Sequence, residues 1–391
     1  MAGMSTDLPA PAPDALAHSE RLLAAIHADI DAAGGWISFA RYMELALYAP
    51  GLGYYSAGSR KIGAAGDFVT APEITPLFGG ALARQVADLL QGGLPDILEV
   101  GAGSGALAAS LLLRLEELDA LPDHYQILEL SADLRERERD TLAARVPHLL
   151  ERVEWLNQLP PGFEGVVVAN EVLDAMPVEI VRWEAGGAVA QAGVVRTAQA
   201  PGLALQFRAA AAGELAQAAA AIPVEPPYQS EIALVAQGFL RSLATHISRG
   251  VVLFIDYGFP AAEFYHAQRA EGTLMCHYRH RAHSDPFLWP GLQDITAHVD
   301  FSAVARVARE SGLALAGYTS QANFLINCGI TELLAKHSPA DAGRYLPASN
   351  AVQRLLSPSE MGELFKVIAL SRGRVGALAG FSRGDRSAAL D

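Results

Sequence analysis

The chain has 391 residues, 51% of them hydrophobic and 18% charged, and carries a formal net charge of −14. That length allows one large domain with insertions or two domains, and the composition is that of a globular chain with a full core. The acidic balance argues against nucleic acid or an anionic membrane as the main partner. Two isolated cysteines, Cys276 and Cys328, give neither a disulfide framework nor a cysteine zinc site.

Residues 1–17 are rich in Pro and Ala and hold no Lys or Arg, so they lack the features of a signal or transit peptide. No apolar run reaches the roughly 18 residues of a membrane span. The expectation is a cytoplasmic protein with a flexible N-terminus over 1–17. Leu16, Leu22, Leu23, Ile26 and Ile30 recur at helical spacing, which predicts a helix from Ala15 to about Ala33 ended by Gly34-Gly35. A second helix is predicted near Ser38–Leu47 with Ser38 as its N-cap. Gly63–Gly80 places Asp67, Thr70, Glu73 and Thr75 between Pro and Gly residues, Pro72 among them. It reads equally as a binding loop and as a packed connector into a helix over Ala81–Leu90.

Ile97–Gly105 reads Ile-Leu-Glu-Val-Gly-Ala-Gly-Ser-Gly, and Ala106–Leu115 follows as a helix. Strand, glycine-rich turn and helix open a nucleotide-binding α/β unit. Glycine adopts backbone angles other residues resist and lets the chain approach a ligand closely. Gly101, Gly103 and Gly105, with Ser104 between the last two, suit S-adenosylmethionine and a nicotinamide or flavin cofactor almost equally. Tyr125–Leu130 is a second strand with Glu129 at its carboxyl end, where an acid can accept both hydroxyls of a ribose. A charged helix over Ala132–Arg145 and a short strand Val153–Leu156 come next, then Asn157 and Gln158, where an adenine edge can be read. Gly165–Ala169 is a fully apolar strand running into Asn170-Glu-Val-Leu-Asp-Ala-Met-Pro177. Glu171 and Asp174 are three apart and would share a face of one helical turn, while either could also serve as an N-terminal helix acid.

From Val178 to about Pro227 the pattern changes to antiparallel strands (Val178–Trp183, Ala188–Val195, Leu203–Arg208), with an Ala-rich run at 209–221 that is a helix candidate. A helix near Glu231–Ser248 returns the chain to a buried strand, Val251–Asp256. His277, His280 and His283 lie in a basic, aromatic loop suited to a substrate or lid contact. His298-x-Asp300 with Asp294 matches no justified metal signature, and Asp300 also fits as an N-cap for a helix at Phe301–Glu310. No metal site is therefore expected. Helices near Ser320–Lys336 and Ala348–Leu356, a last strand Phe365–Leu370 and a flexible tail at 372–391 complete the reading.

Several blocks taken together resemble the MidA-like class I S-adenosylmethionine-dependent methyltransferases. They are Gly66–Glu73 with Phe78-Gly79, Leu98–Gly105, Glu129, Ala169–Val178, Ile255–Gly258 and Pro290–Phe301, and the resemblance spans roughly residues 20–371. Mitochondrial relatives of that family are complex I assembly factors that methylate a protein arginine. The resemblance implies an α/β fold: a Rossmann-like seven-stranded class I methyltransferase sheet with helices on both faces and the last strand antiparallel. An inserted β-rich subdomain and extra N-terminal helices are added to it. The expected division is N-terminal helices and a cofactor-covering loop at 18–90, the methyltransferase core at 91–177 and 231–371, and the insertion at 178–230.

The implied cofactor is S-adenosyl-L-methionine, its methionine end on the glycine turn and its ribose on Glu129. Candidate cofactor residues are Thr70, Pro72, Glu73, Gly101, Gly103, Ser104, Gly105, Glu129, Asn157 and Asn170. Candidate catalytic residues are Glu171, Asp174 and His298. An arginine nucleophile has a pKa above about 12 and arrives charged, so two acids can hold its guanidinium and aim one nitrogen at the methyl. The expected activity is methylation of an arginine on a partner protein, with a homodimer as one arrangement. The competing readings are a small-molecule methyltransferase, a non-catalytic cofactor-binding assembly factor, and a dehydrogenase, for which nothing outside the glycine turn speaks.

Overall fold

The structure, a computed structural model, describes residues 8–57, 70–199 and 202–391. Its chain forms two compact units, one of residues 69–173, 237–261 and 299–391 and the other of residues 1–68, 174–236 and 262–298.

The first unit is built on seven strands: β1 (Asp96–Val100), β2 (Tyr125–Leu128), β3 (Val153–Leu156), β4 (Phe163–Asn170), β5 (Ile247–Phe259), β6 (Ala314–Ser320) and β7 (Phe365–Arg372). Their order is β3-β2-β1-β4-β5-β7-β6, and an eighth, two-residue strand, Val299–Asp300, pairs parallel with the end of β5 off this path. β7 is antiparallel to both of its neighbours, and the first five strands run parallel. Val166, Val167 and Val168 in β4 and Val251–Ile255 in β5 are all buried, as expected for central parallel strands covered on both faces. The expected seven-stranded sheet with an antiparallel last strand is therefore present.

Register fixes where the polar strand ends fall. Leu156, Leu128, Val100, Ala169 and Phe254 pair across β3, β2, β1, β4 and β5. The next residue along each strand is Asn157, Glu129, Gly101, Asn170 and Ile255, followed on the last two by Glu171 and Asp256. With neighbouring strands about 4.8 Å apart, Glu129 and Asn170 lie two spacings, roughly 10 Å, from each other along this edge.

The second unit holds helices Pro13–Ala32 and Phe39–Tyr48, the latter capped by Ser38, whose Oγ accepts from Arg41 N at 3.2 Å. It also holds an antiparallel sheet of Ile37–Ser38, Glu179–Trp183, Val189–Arg196, Leu203–Ala209 and Tyr228–Ile232. Leu22, Ile26, Phe39 and Tyr42 from the helices share one core with Val178, Ile180, Ala192 and Val194 from the sheet. Cys276, Phe287 and Ile295 join the same core. The insertion expected at 178–230 thus packs as one body with the N-terminal helices and with 262–298, which had been expected to belong to the methyltransferase core.

Other expectations shift in instructive ways. The first helix starts at Pro13, inside the segment expected to be flexible. Glu231 lies in a strand, and the helix that follows runs only from Leu234 to His246. The Ala-rich run is helical only over Glu214–Ala220. The helix expected over Ser320–Lys336 is broken into Gln321–Asn327 and Ile330–Ala335 at Gly329, whose φ is +81°. Residues 372–391 are packed: Leu378, Phe381 and Leu390 are buried, Phe381 meets Phe324 edge-on at 5.4 Å, and Gly380 N donates to Gln85 Oε1 at 2.9 Å. Asp300 caps the helix Phe301–Glu310 as expected, accepting from Ala303 N at 3.0 Å. Among the described residues no helix is long and apolar enough to cross a membrane.

Candidate functional site

The turn after β1 shows why three glycines are clustered there. Gly101, Gly103 and Gly105 have φ of +67°, +61° and +79°, the left-handed region that disfavours any side chain. Gly105 also sits against the helix Ala132–Arg145: a Cβ there would lie 3.1 Å from the Glu138 Cα. Gly101 stays exposed, so its backbone is open to a ligand. Ser104 Oγ donates to Glu73 Oε1 and also accepts from Ala106 N at 3.3 Å. Glu73 lies in the single helical turn Ala71–Ile74, which also carries Pro72 and starts at Thr70, whose carbonyl accepts from Glu73 N at 3.0 Å. The polar loop, which reads equally as a binding loop and as a packed connector, meets the glycine turn through Glu73; its residues 63–69, Asp67 included, lie outside the described residues.

At the end of β2, Glu129 is 8% exposed, and its Oε1 accepts from Ser131 N at 2.7 Å. Burial raises its carboxyl above the usual range, against the lowering effect of backbone donors and Arg135. Arg135 donates to the carbonyls of Glu129 and Leu156, tying the ends of β2 and β3 together. Asn157 is exposed at the end of β3. Leu130, beside Glu129, is 79% exposed, an apolar face at the rim suited to a flat base and missed by the sequence reading. Below this rim lie two further unassigned acids, Glu99 and Glu138, both buried. Tyr125 OH donates to Glu99 Oε2 at 2.6 Å, and burial pushes the Glu99 acid up to about 7.

At the end of β4, Asn170 Nδ2 donates to Glu171 Oε1 at 3.1 Å, and Ala71 N donates to the same oxygen at 3.4 Å. Asn170 Oδ1 is buried and has no hydrogen-bond partner among the described residues, so it offers an acceptor at this edge. Glu171 stands at φ +54°, a conformation that costs a non-glycine residue energy and persists only where the surroundings hold it. They do so here: Glu171 N donates to Ile255 O at 2.8 Å, and the buried Asp256 carboxylate accepts from Val172 N, Leu173 N and Tyr257 N at 3.2, 2.9 and 3.0 Å.

The helical turn expected to join Glu171 and Asp174 does not form; residues 171–178 are turn and bend. Asp174 belongs to the other unit, as does His298. There Asp174 is buried, and its carbonyl accepts from Ala297 N at 3.0 Å. His298 N donates to Thr273 Oγ1 at 3.1 Å, which in turn donates to the buried Glu231 carboxylate at 3.0 Å. Tyr55 OH donates to the buried Asp294 at 3.0 Å, and Tyr55 stacks on Tyr48 with ring centres 5.5 Å apart. Tyr48 OH reaches Ala175 O at 2.8 Å. Asp174, Asp294, His298, Tyr48 and Tyr55 therefore belong to the second unit, whereas Glu171 stays with the candidate cofactor residues of the first. The three-histidine loop is a hairpin of Met275–Tyr278 and Arg281–His283 with Arg279 and His280 at its tip. Burial lowers the His283 pKa from its ordinary value.

The sheet edge fits S-adenosylmethionine. The glycine turn gives close backbone approach, Glu129 offers a carboxylate to vicinal hydroxyls, Leu130 an apolar face, and Asn170 Oδ1 an acceptor for an ammonium.

Comparison with known proteins agrees. The S-adenosyl-L-methionine-dependent methyltransferase family model matches residues 81–319. A crystal structure of a Burkholderia thailandensis protein bound to S-adenosyl-homocysteine is 54% identical, covers 98% of this chain and 100% of its own, and superposes with a TM-score of 0.94. Among curated relatives, the mitochondrial protein arginine methyltransferase NDUFAF7 of Mus musculus is 30% identical over 371 residues, 86% of this chain and 81% of the relative. Its Danio rerio counterpart is 28% identical over 367 residues, 85% and 83% of the two chains. The chain belongs to the MidA-like family of S-adenosylmethionine-dependent class I methyltransferases. Its cofactor is S-adenosyl-L-methionine.

Proposed function

We propose that this methyltransferase modifies an arginine side chain of a partner protein, in the cytoplasm, and that the partner is a subunit of a complex I type assembly. The observation that carries the reading is Glu171: a carboxylate held at φ +54° immediately beyond the strand end that carries Asn170. The cofactor supplies a methyl group activated by its sulfonium charge. The rest is orientation, which is what a fixed carboxylate provides to a planar cation. Glu171 receives one edge of the guanidinium and sets one nitrogen toward the methyl. Asp174 and His298, the other two candidate catalytic residues, belong to the other unit, and the proton released once the nitrogen has been alkylated leaves to solvent. The relatives named as protein arginine methyltransferases support the same choice of acceptor, and the net charge of −14 favours a basic segment as substrate.

The test is label transfer from methyl-labelled S-adenosylmethionine to arginine-bearing peptides and to proteins of the host extract, followed by acid hydrolysis and amino-acid analysis. Labelled methylarginine is expected, with none in peptides whose arginines are replaced by lysine. Label confined to small molecules or to another side chain would overturn the arginine assignment.

A further inference from the structure

The helix Ala132–Arg145 lies behind the glycine turn and carries a buried acid that the proposed chemistry does not use. Glu138 has no exposed surface. Its Oε2 accepts from Trp155 Nε1 at 2.8 Å, and its Oε1 has no hydrogen-bond partner among the described residues. Its backbone is the wall for the third glycine of the turn, since a Cβ on Gly105 would stand 3.1 Å from the Glu138 Cα and 3.3 Å from its carbonyl oxygen. A charged carboxylate with one bare oxygen in such a place is strongly disfavoured, whereas a neutral carboxylic acid is tolerated.

The surrounding charges point the same way. Glu129 at the end of β2 and Glu99 in β1 oppose ionisation of Glu138, and Arg135 on its own helix favours it. Tyr125 faces Glu99 and Glu138 from β2, and the Arg139 guanidinium lies 4.6 Å from the Trp155 ring centre.

We propose that Glu138 is a positioning residue of the cofactor site that works as a neutral acid. Uncharged, it holds Trp155, backs the Gly105 turn and leaves Glu129 to present its negative charge to the ribose. Ionised, it opposes Glu129 and weakens cofactor binding. Burial first, then repulsion from Glu129, raises the Glu138 acid to about 8. The neutral form is therefore complete below that value and lost as pH rises through it. A bound ribose buries Glu129 more deeply and so favours the neutral partner further. Glu99 titrates lower, at about 7, with a Tyr125 donor supporting its charged form, so the two acids are separable by mutation.

The test is calorimetric titration with S-adenosylhomocysteine from pH 6.5 to 9 for wild type and Glu138→Gln. Glutamine keeps an acceptor for Trp155 and cannot ionise, and titration of the ligand's own amino group cancels in the ratio of the two proteins. Equal affinities within about twofold are expected at pH 6.5, with the wild type about tenfold weaker than Glu138→Gln at pH 9, one unit above the value of about 8. A ratio that stays flat with pH would overturn the proposal. Should the variant fail to fold, carbon NMR of glutamate-labelled wild type decides: a neutral Glu138 carboxyl at pH 7 supports it, and an ionised one overturns it.

Discussion

Glu171→Gln is expected to lower methyl transfer by about 10²–10³-fold while leaving S-adenosylhomocysteine affinity within about twofold, the loss typical of removing one charged or oriented group at a reacting centre. The substitution is nearly isosteric. An amide oxygen can still accept from Asn170 Nδ2 and Ala71 N, the two donors to Glu171 Oε1. The backbone bond from Glu171 N to Ile255 O is untouched. What disappears is the negative charge proposed to hold a guanidinium edge. Single-turnover kinetics separates this from cofactor loss, because a slower chemical step with unchanged binding is the signature of a missing transition-state interaction. Wild-type turnover in the variant would remove Glu171 from the mechanism.

Asp256→Ala is expected to reduce both stability and turnover. The Asp256 side chain, 1% exposed, accepts three backbone bonds, from Val172, Leu173 and Tyr257. Truncation leaves these donors without their acceptor, at about 1–3 kcal/mol for each that water cannot reach. A total near 3 kcal/mol corresponds to a fall in melting temperature of roughly 5–10 °C for a unit of this size. The turn after β4 would relax and Glu171 would leave its left-handed conformation, so methyl transfer should fall together with stability. Asp256→Asn, which keeps an acceptor oxygen, should lie between the two. A melting temperature unchanged in Asp256→Ala would show that the turn is held by other contacts.

The candidate cofactor edge was legible because its signals are local. Apolar runs set the strands, glycine marked the backbone that must turn left-handed, and strand register then brought Asn157, Glu129, Gly101 and Asn170 to one edge without further information. The catalytic candidates were harder. Glu171 and Asp174 are close in sequence, but Asp256 holds the intervening backbone in a turn, and that carboxylate lies over 80 residues away in the chain. Glu138 was hidden because its helix, Ala-Asp-Leu-Arg-Glu-Arg-Glu-Arg-Asp over 132–140, reads as a solvated charged face. Only the docking of Trp155 and Gly105 against it reveals a buried acid. Residues 372–391 looked like a tail because glycine, arginine and serine are frequent there, whereas Leu378, Phe381 and Leu390 decide their packing.

Binding of S-adenosylhomocysteine, measured by calorimetry on wild type and Glu129→Ala, tests the cofactor site most directly. One ligand per chain with micromolar affinity is expected for the wild type, and affinity at least about a hundredfold weaker in the variant, which loses a charged acceptor for two hydroxyls. Equal binding by both proteins, or none by the folded wild type, would contradict the assignment of this sheet edge to the cofactor.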